Sequence, residues 1–101
     1  MQWPFPFSAI EHDDDKRVFE IELRRELEIG HPLFSIPVTA IGRRHDQDDV
    51  LFQLNNGTGR VAEVHLTWSG KKENPPWPNT LVFETFAGWA RSVGASQRGS
   101  G

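Results

Sequence analysis

The stretch that decides the fold is Arg60-Val-Ala-Glu-Val-His-Leu-Thr-Trp68, because apolar and more polar side chains alternate along it. The even-numbered positions from Ala62 to Trp68 form an apolar face, and the odd-numbered positions from Val61 to Thr67 form a more polar one, as in a half-buried strand. Residues 49–54 alternate in the same way, and Asn55-Asn-Gly-Thr-Gly59 between the two runs supplies the glycines and asparagines of a tight reversal. The two runs are therefore predicted to form a β-hairpin.

Composition limits the chain to one compact domain without cofactor chemistry of its own. With 101 residues, 37 % of them hydrophobic, the core has room for two layers. The net charge is −3, and the basic residues form no cluster larger than a doublet, so the chain lacks the basic surface on which nucleic-acid binding depends. Cysteine is absent, so disulfides, thiolate nucleophiles and cysteine-ligated zinc are excluded. No apolar run approaches the roughly 20 residues of a membrane span, so a cytoplasmic protein is expected.

Two helices are predicted to flank the strands. Residues 16–29 follow three aspartates and precede Gly30 and Pro32, which are start and stop signals. Phe19, Leu23 and Leu27 form an apolar stripe on this helix, and Glu22 and Glu26 lie beside it. Thr85 is positioned to cap a second helix that ends at Gly94.

The predicted fold is α+β: a small antiparallel meander of three to four strands with the N-terminal and C-terminal helices packed on one face. The outer strand spans residues 38–44, and Gly42 within it indicates a bulge or a close backbone approach. Residues 1–15 are assigned to an aromatic and proline-rich arm with an acidic cap, residues 16–94 to the domain, and residues 95–101 to a disordered tail.

The N-terminal arm carries Trp3, Phe5 and Phe7, alternating with two prolines. Three aromatic side chains need burial, either as a lid on the chain's own core or against a second subunit. The second interpretation leads to a homodimer whose interface combines Trp3, Phe5 and Phe7 with Val18 and Ile21 of the first helix. No metal is predicted, because helix capping and turn formation account for the acidic clusters at residues 12–15 and 45–49.

His65 and Glu63 lie two residues apart on the polar face of the strand, where Gln53 and Arg43 or His45 are expected to join them. A histidine beside a carboxylate is the minimum for general acid–base chemistry, although mixed polar pairs are also normal on a solvated sheet face. The sequence has no G-x-S-x-G elbow and no phosphate-binding P-loop, which argues against hydrolase and nucleoside-triphosphatase activities. No catalytic residue is therefore assigned, and His65 and Glu63 remain candidates.

The loop from Trp68 to Pro78 combines aromatic and cationic side chains, as binding hot spots do. Its binding candidates, with one residue from the outer strand, are Trp77, Trp68, Lys71, Lys72 and Arg43. The alternative is that the tryptophans fill the end of the core, which is favoured for Trp68 because it continues the buried face of its strand.

Four segments, Gly30-His-Pro-Leu33, Asp48-Asp-Val-Leu-Phe52, Val64-His-Leu-Thr-Trp-Ser-Gly-Lys71 and Pro76-Trp-Pro78, resemble a family of small bacterial proteins without an assigned activity. The resemblance covers residues 17–92. It implies a bacterial, cytosolic, stand-alone domain and transfers no catalytic residue.

The leading functional hypothesis is a non-enzymatic module that binds a protein partner or a second copy of itself. The alternative is a small-ligand-binding protein or enzyme that uses His65 and Glu63, and a regulatory or toxin-neutralising role is the weakest of the three. A concave pocket over the face that carries His65 would favour the second hypothesis, whereas a flat solvated face would favour the first.

Overall fold

The computed structural model describes the backbone of residues 3–99 and the side chains of residues 3–94. Five antiparallel strands form one sheet in the order of the sequence, with one helix after the first strand and one after the last. The elements are β1 (Phe7–Ala9), α1 (Asp13–Glu26), β2 (Val38–Arg44), β3 (Asp49–Leu54), β4 (Val61–His65), β5 (Thr80–Phe83) and α2 (Phe86–Gly99). The predicted α+β meander is confirmed, with one strand more than expected because the aromatic arm contributes β1.

Helix α1 covers one face of the sheet because the apolar stripe predicted for it packs there. Phe19, Leu23 and Leu27 are buried against the even-numbered side chains of β3 and β4, including Phe52 and Val64. Ile10 and Leu33, from the segments that flank α1, complete this first core. The face that includes Ala62, Val64 and Leu66 was therefore predicted correctly.

Helix α2 lies on the opposite face, so the expectation that both helices share one face is wrong. Its Trp89 is completely buried against Phe7, Leu51 and Val61, which point away from α1. Glu63 and His65 on the odd-numbered face predict a solvated surface there. Leu51 and Val61 make its centre apolar, however, and a sheet with two apolar faces needs a layer on each side.

The helix ends differ from the predicted ones. Helix α1 begins at Asp13, so the aspartates form its first turn instead of preceding it, and it ends at Glu26 instead of Ile29. Thr85 caps α2 as predicted, because its hydroxyl oxygen accepts a hydrogen bond from Gly88 N–H at 2.9 Å. The helix continues past Gly94 to Gly99. The predicted disordered tail is thus helical over residues 95–99, and residues 100 and 101 lie outside the described part of the chain.

The outer strand β2 contains the irregularity that Gly42 indicated. Its register with β3 shifts between Ala40 and Gly42, which leaves Ile41 as the extra residue of a bulge. Gly42 also lies under the indole of Trp3, so closely that a Cβ atom there would be 2.3 Å from the ring. The aromatic arm thus closes over this edge of the sheet.

Candidate functional site

His65 and Asp49 are paired across the central hairpin, on the face that α2 covers. His65 Nδ1 lies 2.6 Å from Asp49 Oδ1. Because a carboxylate accepts hydrogen bonds, Nδ1 carries the hydrogen of this bond, and Nε2 is the ring nitrogen that the pair leaves unused. The Asp49 residue is 8 % exposed, whereas the His65 side chain is 49 % exposed. A buried carboxylate therefore orients an accessible imidazole.

Glu63 lies next to this pair and is held by α2. Trp89 Nε1–H donates a hydrogen bond of 2.8 Å to Glu63 Oε1. Burial raises the pKa of Glu63, the hydrogen bond from Trp89 lowers it, and the neighbouring Asp49 raises it again, so that the net shift is upward. Glu63 consequently holds a proton to higher pH than an ordinary glutamate does.

The three side chains line a cleft of about 320 Å³ at the junction of β4 and β5. Its remaining walls come from Asn79, Thr80 and Leu81. The face is therefore concave at the position of His65 and Glu63. Within residues 3–99, no three histidine or acidic side chains are arranged to hold a metal ion. The groups present can form hydrogen bonds and exchange protons.

Asp49 was assigned to a turn in the sequence analysis, although a signal for its role exists. A five-residue loop at 55–59 sets the register of the hairpin, and this register places position 49 opposite position 65. Counting back from the centre of the loop would have paired Asp49 with His65. The contact between Glu63 and Trp89 had no such signal, because α2 was expected on the other face.

Arg43 was expected beside His65 and lies on the opposite face instead. The bulge at Ile41 shifts the alternation of β2, so that Arg43 pairs with Val50, whose side chain faces α1. Its guanidinium group stacks over the Phe19 ring at 5.2 Å. His45 is hydrogen-bonded to the Ser8 hydroxyl. Gln53 pairs with Val61, two residues along β4 from Glu63, and does not line the cleft. None of the three therefore joins the candidate site.

Trp68 is not a core residue, which corrects the favoured interpretation. Strand β4 ends at His65, and Trp68 adopts a left-handed backbone with φ of 57°. It is 41 % exposed and packs edge-on against Phe19, with ring centroids 5.8 Å apart. Together with Val18 and Arg43 it lines a shallow cleft of about 310 Å³. Two of the predicted binding residues, Trp68 and Arg43, thus occur on one surface.

Glu22 and Glu26 of α1 explain why the strand ends, a role that their positions beside the helix stripe did not predict. Glu26 Oε1 accepts a hydrogen bond from Thr67 N–H at 3.0 Å and Oε2 accepts one from Trp68 N–H at 2.9 Å, while Glu22 Oε2 accepts one from Gly70 N–H at 3.0 Å. Both residues are buried, at 4 % and 0 % exposure. Burial and the adjacent Glu22 carboxyl group raise the pKa of Glu26 to about 7.

The other predicted binding residues of the loop do not join Trp68. Lys72 lies 3.8 Å from Glu28, beyond the C-terminal end of α1. Lys71 is exposed, and its N–H and C=O groups are engaged by the Ser69 hydroxyl. Trp77 is 48 % exposed, near the N-terminal end of β5. Of the five binding candidates, the described structure thus brings only Trp68 and Arg43 together on one surface.

The predicted interface residues divide into two groups. Phe7 is buried and Trp3 is partly buried in the second core, where both rings contact Trp89 within the same chain. Phe5, Val18 and Ile21 are exposed by 80 %, 54 % and 40 %. Two of the three arm aromatics thus act as the intramolecular lid.

A further cleft of about 390 Å³ lies between α1 and residues 34–38. No predicted site residue lines it. Its one carboxylate, Glu20, already accepts a hydrogen bond from Ala40 N–H at 2.9 Å. The walls are otherwise mainly apolar, so this cleft offers no group for proton chemistry.

No protein-family model, curated protein or solved structure matches this chain. In the described part of the chain, neither helix has the length and apolar character needed to cross a bilayer.

Proposed function

We propose that the chain binds a small polar molecule in the cleft between β4 and β5, and that His65 exchanges a proton with it. The observation that carries this proposal is the 2.6 Å pairing of His65 with the nearly buried Asp49, beside Glu63. A carboxylate that fixes one ring nitrogen leaves the other directed outward as a base. Among the described residues, no protein group hydrogen-bonds to Nε2 of His65, so a ligand can reach it.

Glu63 supports the acid half of the same chemistry. Its pKa is raised, chiefly by burial, so its carboxyl group is protonated at a pH where most glutamates are ionised. Acid–base sites commonly separate the pKa values of two neighbouring groups in this way, so that one donates and the other accepts. In this proposal His65 takes a proton from the ligand and Glu63 supplies one.

The walls of the cleft define the ligand class. Asp49 contributes a negative charge and Glu63 a second carboxyl group, whereas Leu81 contributes an apolar wall. Anionic ligands would be repelled, and a ligand with hydroxyl or amino groups would find acceptors on both carboxyl groups. The proposal is therefore for a small, uncharged or cationic molecule with hydroxyl or amino groups.

Amide chemical-shift mapping on the isotopically labelled chain tests this proposal, with ethanolamine and glycerol as probes and acetate as the anionic comparison. The expected result is shifts confined to residues 49, 63, 65 and 79–81 for the first two probes only. His65→Gln should weaken the response, and His12→Gln, a change at an exposed histidine elsewhere, should leave it unchanged. A response that is the same in both variants would contradict the proposal.

A second function, binding to another protein chain, is favoured by the exposed apolar side chains near β5. Leu81 is 61 % exposed, Val82 43 % and Trp77 48 %. Solvent-facing apolar residues concentrated on one short segment are typical of a contact surface. This function does not depend on proton exchange at His65.

A further inference from the structure

Strand β5 is an edge of the sheet that only one neighbour covers. The described strands run from β1 to β5, and β5 is hydrogen-bonded to β4 alone. The four residues of β5 include no charged side chain and no proline. Charged side chains and prolines usually protect an exposed strand edge from pairing with another chain, and β5 has neither.

The unpaired backbone groups of this edge can be assigned from the ladder. Asn79 C=O accepts a hydrogen bond from His65 N–H at 2.9 Å, so position 79 faces β4. Antiparallel ladders alternate, and positions 81 and 83 therefore also face β4. It follows that the N–H and C=O groups of Thr80 and Val82 point away from the sheet.

The other edge of the sheet, β1, differs from β5 because part of it is engaged within the chain. Ile10 N–H donates to Ile41 C=O, so by the same alternation Phe7 directs its N–H outward from β1. That N–H is already bonded to Pro4 C=O at 2.8 Å, within the arm itself. One outward N–H of β1 is thus already used within the chain, whereas no backbone partner is found in the described part of the chain for the outward groups of β5.

We propose that β5 pairs antiparallel with β5 of a second copy of this chain, joining two sheets into one. A two-fold axis at Val82 satisfies the alternation, because it places Val82 opposite its own equivalent. Leu81 then meets Phe83 on one face, and Thr80 meets Glu84. No like charges face each other in this register, because each Glu84 lies opposite a threonine and is paired with Arg60 of its own chain at 3.1 Å.

A second copy fits this edge for two reasons. An antiparallel strand satisfies the outward N–H and C=O groups of Thr80 and Val82 with equivalent groups of its own, so the edge is self-complementary. The side chains that flank it, Leu81 and Val82, are apolar on both copies and lose exposed surface together. The surface differs from the arm and Val18/Ile21 surface that the sequence indicated.

The experiment measures solution mass on the full chain by light scattering and analytical ultracentrifugation, over a wide concentration range. We expect twice 11.5 kDa at high concentration. Val82→Lys should raise the dimer dissociation constant at least about tenfold, because it places two lysines directly opposite each other. Val18→Lys adds the same charge at an exposed position of α1 and should leave the dissociation constant unchanged.

Amide hydrogen exchange provides a readout that does not depend on variants. Thr80 and Val82 N–H should be protected at high concentration and should exchange faster on dilution, whereas the amides of β4 should not respond. A monomer at all concentrations overturns the proposal. So does a dimer that Val18→Lys disrupts and Val82→Lys does not, because this would place the interface on α1.

Discussion

The buried carboxyl group of Glu26 accepts a hydrogen bond from the backbone N–H of Trp68, with an oxygen to nitrogen distance of 2.9 Å. Its second oxygen accepts one from Thr67 N–H. In a longer β4, these two N–H groups would be available for the sheet ladder. Helix α1 therefore fixes the path of the chain after His65, and Trp68 is turned to the surface beside Phe19 instead of extending the core.

Stability should depend on pH through Glu26. The pKa of this group rises from an ordinary value of 4.5 to about 7 on folding, mainly because of burial. A raised carboxyl pKa means that the folded state holds the proton more tightly than the unfolded state does. The associated stabilisation is thus fully present below about pH 4.5 and is lost as pH rises through about 7.

Glu26→Gln tests this dependence, because glutamine resembles the protonated acid and does not titrate. We expect the unfolding free energy of the variant, measured with urea, to fall less between pH 5 and pH 8 than that of the natural chain. Glu20→Gln, on the same helix, serves as the control and should keep the natural slope. Equal slopes for the natural chain and Glu26→Gln would contradict the assigned shift.

The parts of the fold that were predicted correctly depend on local patterns. The hairpin follows from period-two alternation around a glycine-rich reversal, and the α1 stripe follows from four-residue spacing. The Thr85 cap and the irregularity at Gly42 also follow from residue chemistry at single positions. Each of these predictions requires only residues that are close in sequence or a single backbone constraint.

The parts that were missed depend on contacts between distant elements. Nothing near Glu26 in sequence indicates that its carboxylate replaces a strand partner for Trp68, 42 residues later. One extra residue at the β2 bulge moves Arg43 from one face of the sheet to the other, and the sequence located the irregularity without giving its effect. Two of the three acid–base residues of the candidate site, His65 and Glu63, were identified from the sequence, and Asp49 was not.

His31 should be a large contributor to stability, because it joins two loops inside the protein. The residue is 4 % exposed, and its Nδ1 accepts a hydrogen bond from Leu33 N–H at 3.0 Å. The opposite nitrogen, Nε2, therefore carries the hydrogen and donates to Pro78 C=O at 2.9 Å. His31→Phe keeps an aromatic ring but leaves Leu33 N–H unpaired, and Pro78 C=O then accepts only from the Thr80 hydroxyl. The loss should cost about 1–3 kcal/mol.

Thermal and urea unfolding check this expectation. The exposed residue His12 provides the control, and His12→Phe should change the unfolding free energy by less than about 0.5 kcal/mol. If the two variants are equally stable, the hydrogen bonds of His31 contribute nothing to the fold.

Gly42→Ala should displace the aromatic arm. A Cβ atom at position 42 would lie 2.3 Å from the Trp3 ring, which itself packs against Phe86 with centroids 5.1 Å apart. Moving the indole should cost about 1–3 kcal/mol. Gly94→Ala is the matched control, because nothing lies within 4 Å of its Cβ and helix propensity predicts about 1 kcal/mol of stabilisation.

A double-mutant cycle identifies the cause of any loss at position 42. In the Trp3→Ala background, Gly42→Ala should cost much less, since the ring that obstructs the new methyl group is gone. The unfolding free energies of the four chains give the coupling directly. Additive effects would mean that Trp3 does not occupy this position in solution.

Replacing Glu63 should separate its hydrogen bond from its charge. Trp89 is completely buried, and the oxygen of Glu63 is the acceptor for its indole N–H. Glu63→Gln keeps an oxygen for that bond and should cost less than about 1 kcal/mol, whereas Glu63→Leu leaves the N–H unpaired and should cost about 1–3 kcal/mol.

Because burial raises the pKa of Glu63, its ionisation with increasing pH opposes folding. The natural chain should therefore lose stability relative to Glu63→Gln as pH rises above the ordinary glutamate value, and urea unfolding at about pH 5 and pH 8 measures the difference. A natural chain that gains stability relative to Glu63→Gln over this interval would reverse the assigned direction, and with it the role of Glu63 as the proton donor of the cleft.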